Sequence, residues 1–195
     1  MTMRSLALFA HILGMLALFV ALTIEWTSLA LLRKGDKARP SFGLNLLHQL
    51  PRLTGIAIAL ILASGTGMAA QFGVLRSAWV GVSFAAMVLM GGLGSAALRP
   101  LIRNIESFDS AETCQREASK PFLHMSLGAR IGVALGIVLL MVAKTDLGGS
   151  MAIVAVALVA GATGGVVAAR AAVPDVSANQ GGAPAPRAIE GSRWS

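Results

Sequence analysis

Four side chains that can bind metal, carry charge or move protons lie inside long apolar runs: His11, Met15, Glu25 and Arg130. His11 and Met15 are one helical turn apart, and imidazole with thioether suits a soft ion such as copper(I). Met68, Met141 and Met151 fall near the same end of their own apolar runs. Methionine is equally an ordinary core filler, so the metal assignment rests on His11 and Met15. Glu25 and Arg130 each sit roughly two turns inside an apolar run. A lone charge at that depth is costly, whereas a paired one is tolerated. An intramembrane ion pair between Glu25 and Arg130 is therefore expected, the competing arrangement being that Arg130 snorkels and Glu25 faces water. His48 and His124 raise a second cofactor reading, since two axial histidines can hold a haem between helices; interfacial solvation is the plain alternative. Cys114 is the only cysteine, which excludes an intramolecular disulfide. No Ser/His/Asp arrangement, phosphate loop or zinc spacing occurs, so no catalytic residue is assigned and a non-enzymatic protein is the expectation.

The elements that must position these residues follow from composition. Of 195 residues, 55% are hydrophobic and only 13% charged, against about a quarter charged in soluble domains. The expected fold class is all-α: a polytopic membrane helical bundle. Five spans can be drawn, each near the roughly 20 residues that cross a bilayer core. They lie within Leu6–Leu32, then at about Leu53–Phe72, Ala78–Leu98, Phe122–Ala143 and Met151–Ala172. At about 100° per residue, His11, Leu18 and Glu25 share one face of the first span, the outer two roughly 21 Å apart along its axis.

The net charge of +7 resides in the loops. Twelve basic residues fall in the first and third loops and the tail. Only Arg4, Arg76 and Lys144 fall on the other side, and Arg130 lies within a span. The positive-inside rule then puts the N-terminus outside and the C-terminus in the cytoplasm. The basic loops are expected to meet anionic lipid headgroups rather than nucleic acid. The N-terminal run is too long for a cleavable signal and is read as an anchor. Residues 1–172 form the transmembrane bundle on this reading, and residues 173–195, rich in Pro, Gly, Ala and Ser, a disordered cytoplasmic tail.

Within the loops, Pro40 to Pro51 reads as a short interfacial helix, Asp109 and Glu112 as caps of another, and residues 144–150 as a tight turn. Gly128, Gly132 and Gly136 recur every four residues, as do Ala157, Gly161, Gly165 and Ala169. Such stripes let two helices approach closely, so a tightly packed hairpin of spans four and five is expected. Ala59, Ala63 and Gly67, and Gly91 with Ser95, suggest further close contacts. A homo-oligomer or membrane-protein partner would use the same kind of surface.

The segments LFAHILGMLALFVALTIEW and GARIGVALGIVLLMVAKTDLGGSMAIVAVALVAG resemble small bacterial integral membrane proteins of unknown function. The likeness covers most of the membrane part, and it implies a multi-pass protein of a bacterial inner membrane. More distantly, His11 in the first span is similar to a histidine of the copper-resistance D proteins, whose family implies copper uptake. It also resembles one in the haem-dependent membrane protoporphyrinogen oxidases, but the aromatic and basic run that follows there is lacking here. The sequence thus supports an accessory subunit or small-solute permease, with copper or haem handling through His11 as the alternative. A permease would draw its polar path from His11, Glu25, Thr54, Ser64, Thr66, Ser83 and Arg130.

Overall fold

The computed structural model describes residues 2–33, 40–107, 116, 118–171, with side chains left undescribed at 40–47 and 104–107. Five long helices run α1 (Met3–Arg33), α2 (Pro40–Gln71), α3 (Ala78–Ser107), α4 (Pro121–Ala143) and α5 (Leu147–Ala171). All five are long and apolar enough to span a membrane, and no strand occurs among the described residues. The chain is a multi-pass membrane helical bundle. Asp109, Glu112, Cys114 and the tail from residue 173 onward lie outside the described residues.

Consecutive helices alternate in direction. One end of the bundle gathers Met3, Gln71, Ala78, Ala143 and Leu147; the other gathers Arg33, Pro40, Ser107, Pro121 and Ala171. The closest neighbours are α4 with α5 and α1 with α2, while α3 joins the two hairpins. α4 is the central helix, mostly buried among the others, whereas α5 is peripheral and largely exposed. The core cluster is built from Leu18, Leu22 and Leu29 of α1, Met90 of α3, and Leu127 and Ile137 of α4, among others.

Small residues set the closeness of both hairpins. A methyl group at Gly128 would overlap the Gly161 carbonyl and lie 2.8 Å from Gly165 Cα, and one at Gly161 would lie 2.9 Å from Gly132 Cα. The backbones of α4 and α5 are thus in direct contact, which dispersion rewards in lipid. In the first hairpin Gly14 performs this role, since a Cβ there would lie 2.8 Å from Ile61 Cγ1. The stripe expected on α2 does not pack: Ala59 and Ala63 are exposed, and a Cβ at Gly67 would meet nothing within 4 Å.

Helix limits also differ from expectation. α2 continues through Pro51 and α3 through Pro100, so the expected interfacial segment from Pro40 is the first part of α2. Proline removes one donor and crowds the carbonyl four residues earlier. Both prolines are exposed, where that carbonyl can be satisfied from outside the bundle. At the other end the turn contracts to residues 144–146. Asp146 Oδ1 accepts the Gly149 N–H at 3.0 Å, capping α5 and starting it at Leu147, four residues earlier than read from hydropathy.

Candidate functional site: two polar centres along the first helix

The first centre is charged and buried. Arg130 Nη1 lies 2.7 Å from both carboxylate oxygens of Glu25, and the two residues are 1% and 2% exposed. The structure therefore brings together the groups that the sequence placed at matching depth on α1 and α4. About one turn away along their own helices stand Leu22 and Leu29 on α1 and Leu127 and Val133 on α4, all core residues. On the third side stands Gly94 of α3. A Cβ there would lie 2.7 Å from Arg130 Cζ and 3.0 Å from Nε and Nη2. Glycine is needed because the guanidinium occupies the space a side chain would fill. Two buried atoms at this level of α1 and α4 have no partner among the described residues: Arg130 Nε and Ser28 Oγ, the latter one turn beyond Glu25.

The second centre is held by uncharged partners and opens into a cavity. His11 Nδ1 lies 3.2 Å from the Ile61 carbonyl and 3.2 Å from Ser64 Oγ, both on α2. Ser64 donates its single hydrogen to α2 carbonyls, so its oxygen accepts from His11, as does Ile61 O. That assigns a ring proton to Nδ1 and leaves Nε2 without a partner among the described residues. The ring rests on Gly65, whose added Cβ would sit 3.2 Å from His11 Cε1.

His11 lines a cavity of 510 Å³ between α1, α2, α3 and α4 at the Met3 end, together with Met68, Ser83, Met87, Met141 and Lys144. That volume is typical of a small-ligand site. Its walls are otherwise apolar, and Ser83 spends its hydrogen on the Trp79 carbonyl at 2.8 Å. Lys144 is the C-cap of α4, in left-handed conformation (φ 46°), with its N–H bonded to Leu140 O. The Arg4 guanidinium stacks 4.7 Å from the ring centroid of Phe72, itself a lining residue.

The remaining sequence candidates are dispersed. Met15 packs against the core cluster and does not line the cavity that His11 lines. Met151 is exposed on α5. His48 is exposed, whereas His124 is buried with both ring nitrogens engaged. Its Nε2 faces Arg33 Nη1 at 3.3 Å, its Nδ1 faces the Lys120 carbonyl at 3.4 Å, and Trp26 packs on its edge. His124 therefore offers no nitrogen to a haem in this arrangement. No group of three His, Cys, Asp or Glu that could hold a metal occurs among the described residues. Thr54 is buried; Thr66 is exposed and bonds its own helix at Leu62 O.

Three contributors escaped the sequence reading. Gly94 seats the guanidinium, and its signal would have been its depth on α3. Lys144 was counted only as a topology charge, although its place at the end of α4 brings it to the His11 end. Arg33, also counted only for topology, donates from Nη2 to the Ala169 carbonyl at 2.8 Å, meeting one of the last-turn carbonyls that a helix leaves unsatisfied. No protein-family model, curated protein or solved structure matches the chain.

Proposed function

We propose that this is a non-enzymatic small-solute permease, or the solute-binding subunit of one, with its N-terminus outside a bacterial inner membrane. The observation that carries the reading is the 510 Å³ cavity among four helices, with His11 on its wall and Lys144 at the same end. An accessory subunit that only scaffolds a partner needs an outer surface, not an interior space. The asymmetry of basic residues between loops supports that orientation, and on it the cavity lies toward the outer side.

Proteoliposome flux tests it, using small organic acids, amines and neutral solutes of matched size. Protein-dependent flux of at least one class, removed by Ala69→Trp at the cavity wall, is the expected result. Flux absent from every class contradicts the permease.

A second reading, copper(I) handling, is favoured by one observation: Met68, Met87 and Met141 line the same cavity as His11. A histidine whose Nδ1–H bonds a backbone carbonyl is also oriented as metal-ligating histidines usually are. Elemental mass spectrometry of the protein purified in mild detergent tests it. Near-stoichiometric copper lost in His11→Ala would move this reading ahead, and protein free of copper after copper(I) loading would end it.

A further inference from the structure

The cavity differs from an ordinary apolar void in the sign of the charge around it. Lys144 is the one charged residue among those that line it. Its side chain makes no hydrogen bond or ion pair among the described residues. Arg4, held over Phe72, adds a second cation beside the wall, and Arg76 in the α2–α3 loop a third at the same end. Among the described residues the only acid at this end is Asp146, whose Oδ1 is engaged in capping α5. A cation entering here meets net repulsion, and an anion meets attraction concentrated by low-dielectric walls. Behind Lys144 the walls are thioether, aromatic and aliphatic, supplied by Met68, Phe84, Met87, Ile137 and Met141. Such walls suit hydrocarbon, and His11 Nε2 stands among them with no partner among the described residues.

We infer that the cavity takes a lipophilic acid, one carboxylate on an alkyl chain, with the carboxylate at the Lys144 ammonium and the chain along the methionine-lined wall. The inference rests on the cavity being the solute site, and it adds the chemical class of the solute. The pairing is charge-assisted, the stronger kind of hydrogen bond. Loss of the ammonium is therefore expected to weaken binding about tenfold or more.

Trp79 lines the cavity and supplies a reporter. With Trp26→Phe and Trp194→Phe it becomes the only tryptophan in the chain. Quenching of its fluorescence by a bromine-substituted decanoate would be titrated in detergent and compared with the brominated decyl-trimethylammonium and decanol analogues. The expected result is saturable quenching by the acid at concentrations where the cation gives none, weakened about tenfold in Lys144→Gln and retained in Lys144→Arg. Saturable quenching by acid and cation alike, indifferent to Lys144→Gln, would overturn the anion preference while leaving the cavity as a solute site. Quenching that rises without saturation for all three probes, as partition into detergent would give, would overturn both. A folded Lys144→Arg protein that binds while Lys144→Gln does not also separates lost charge from lost fold.

Discussion

Two polar centres hang on the same helix, and they solve the problem of polarity in a membrane in opposite ways. Glu25 meets a charge, Arg130 Nη1 at 2.7 Å, inside the core with Leu22 and Leu29 around it. His11 meets a backbone carbonyl and a serine through one nitrogen, and keeps the other beside a cavity. The first centre pairs its charge internally, with Arg130 Nε alone left without a partner among the described residues, and ties the two hairpins together. The second is satisfied on one edge only and retains capacity for a ligand. A polar residue within a span is thus not functional by default: what distinguishes the cases is whether the group is closed in the core against its partner or stands on the wall of a cavity.

The comparison can be broken by substitutions at each centre. Arg130→Met leaves Glu25 buried without its partner, and a loss of about 3–5 kcal/mol is expected. The double variant Glu25→Gln with Arg130→Met should recover part of that loss. Thermal unfolding in detergent measures both, and a double variant no better than the single one would deny the pairing. Gly94→Ala should cost about 1–3 kcal/mol, the usual range for overpacking, because its methyl group would sit 2.7 Å from Arg130 Cζ. In an Arg130→Met background the penalty should fall, since methionine can move aside where a paired guanidinium cannot; a double-mutant cycle reads this coupling.

His11→Ala should cost less, about 0.5–1.5 kcal/mol for one shared hydrogen bond, and should show up in binding at the cavity more than in the melting curve. Thr66→Val serves as the control. Its hydroxyl bonds its own helix on an exposed face, so the change is expected within about 0.5 kcal/mol.

The sequence made the first centre more legible than the second. The depth of a charge can be counted from the ends of an apolar run, and charges at equal depth have strong reason to meet; Glu25 and Arg130 do. The four-residue stripes on α4 and α5 likewise pointed to backbone contact, which Gly128 and Gly161 make. A stripe says that a face is smooth but not which neighbour covers it. Ala59 and Ala63 are therefore exposed, while the solitary Gly14 packs on Ile61. Of the cavity only scattered wall residues were legible: His11, Met68 and Met141 read as lying at one end, and Ser83 as a polar candidate. The cavity itself is a property of how four helices fail to fill the space between them, and no local pattern in any one helix encodes it. Lys144 looked like a loop charge for the same reason, until the end of α4 was placed beside α1 and α2. The helix limits were misread where prolines are exposed at 51 and 100 and where Asp146 caps a helix that hydropathy starts later.

The most direct test of the difference between the centres is cysteine accessibility, because Cys114 is the only cysteine to remove. In a Cys114→Ser background, Ser83→Cys probes the cavity wall and Ser28→Cys the turn beyond Glu25, where the serine is fully buried. Both would be treated with a small membrane-impermeant maleimide in sealed vesicles of known orientation. Labelling of the Ser83 position from the N-terminal side, with none at the Ser28 position from either side, is the predicted result. Equal labelling at both positions, or none at position 83 from either side, would contradict the division into one closed and one open centre.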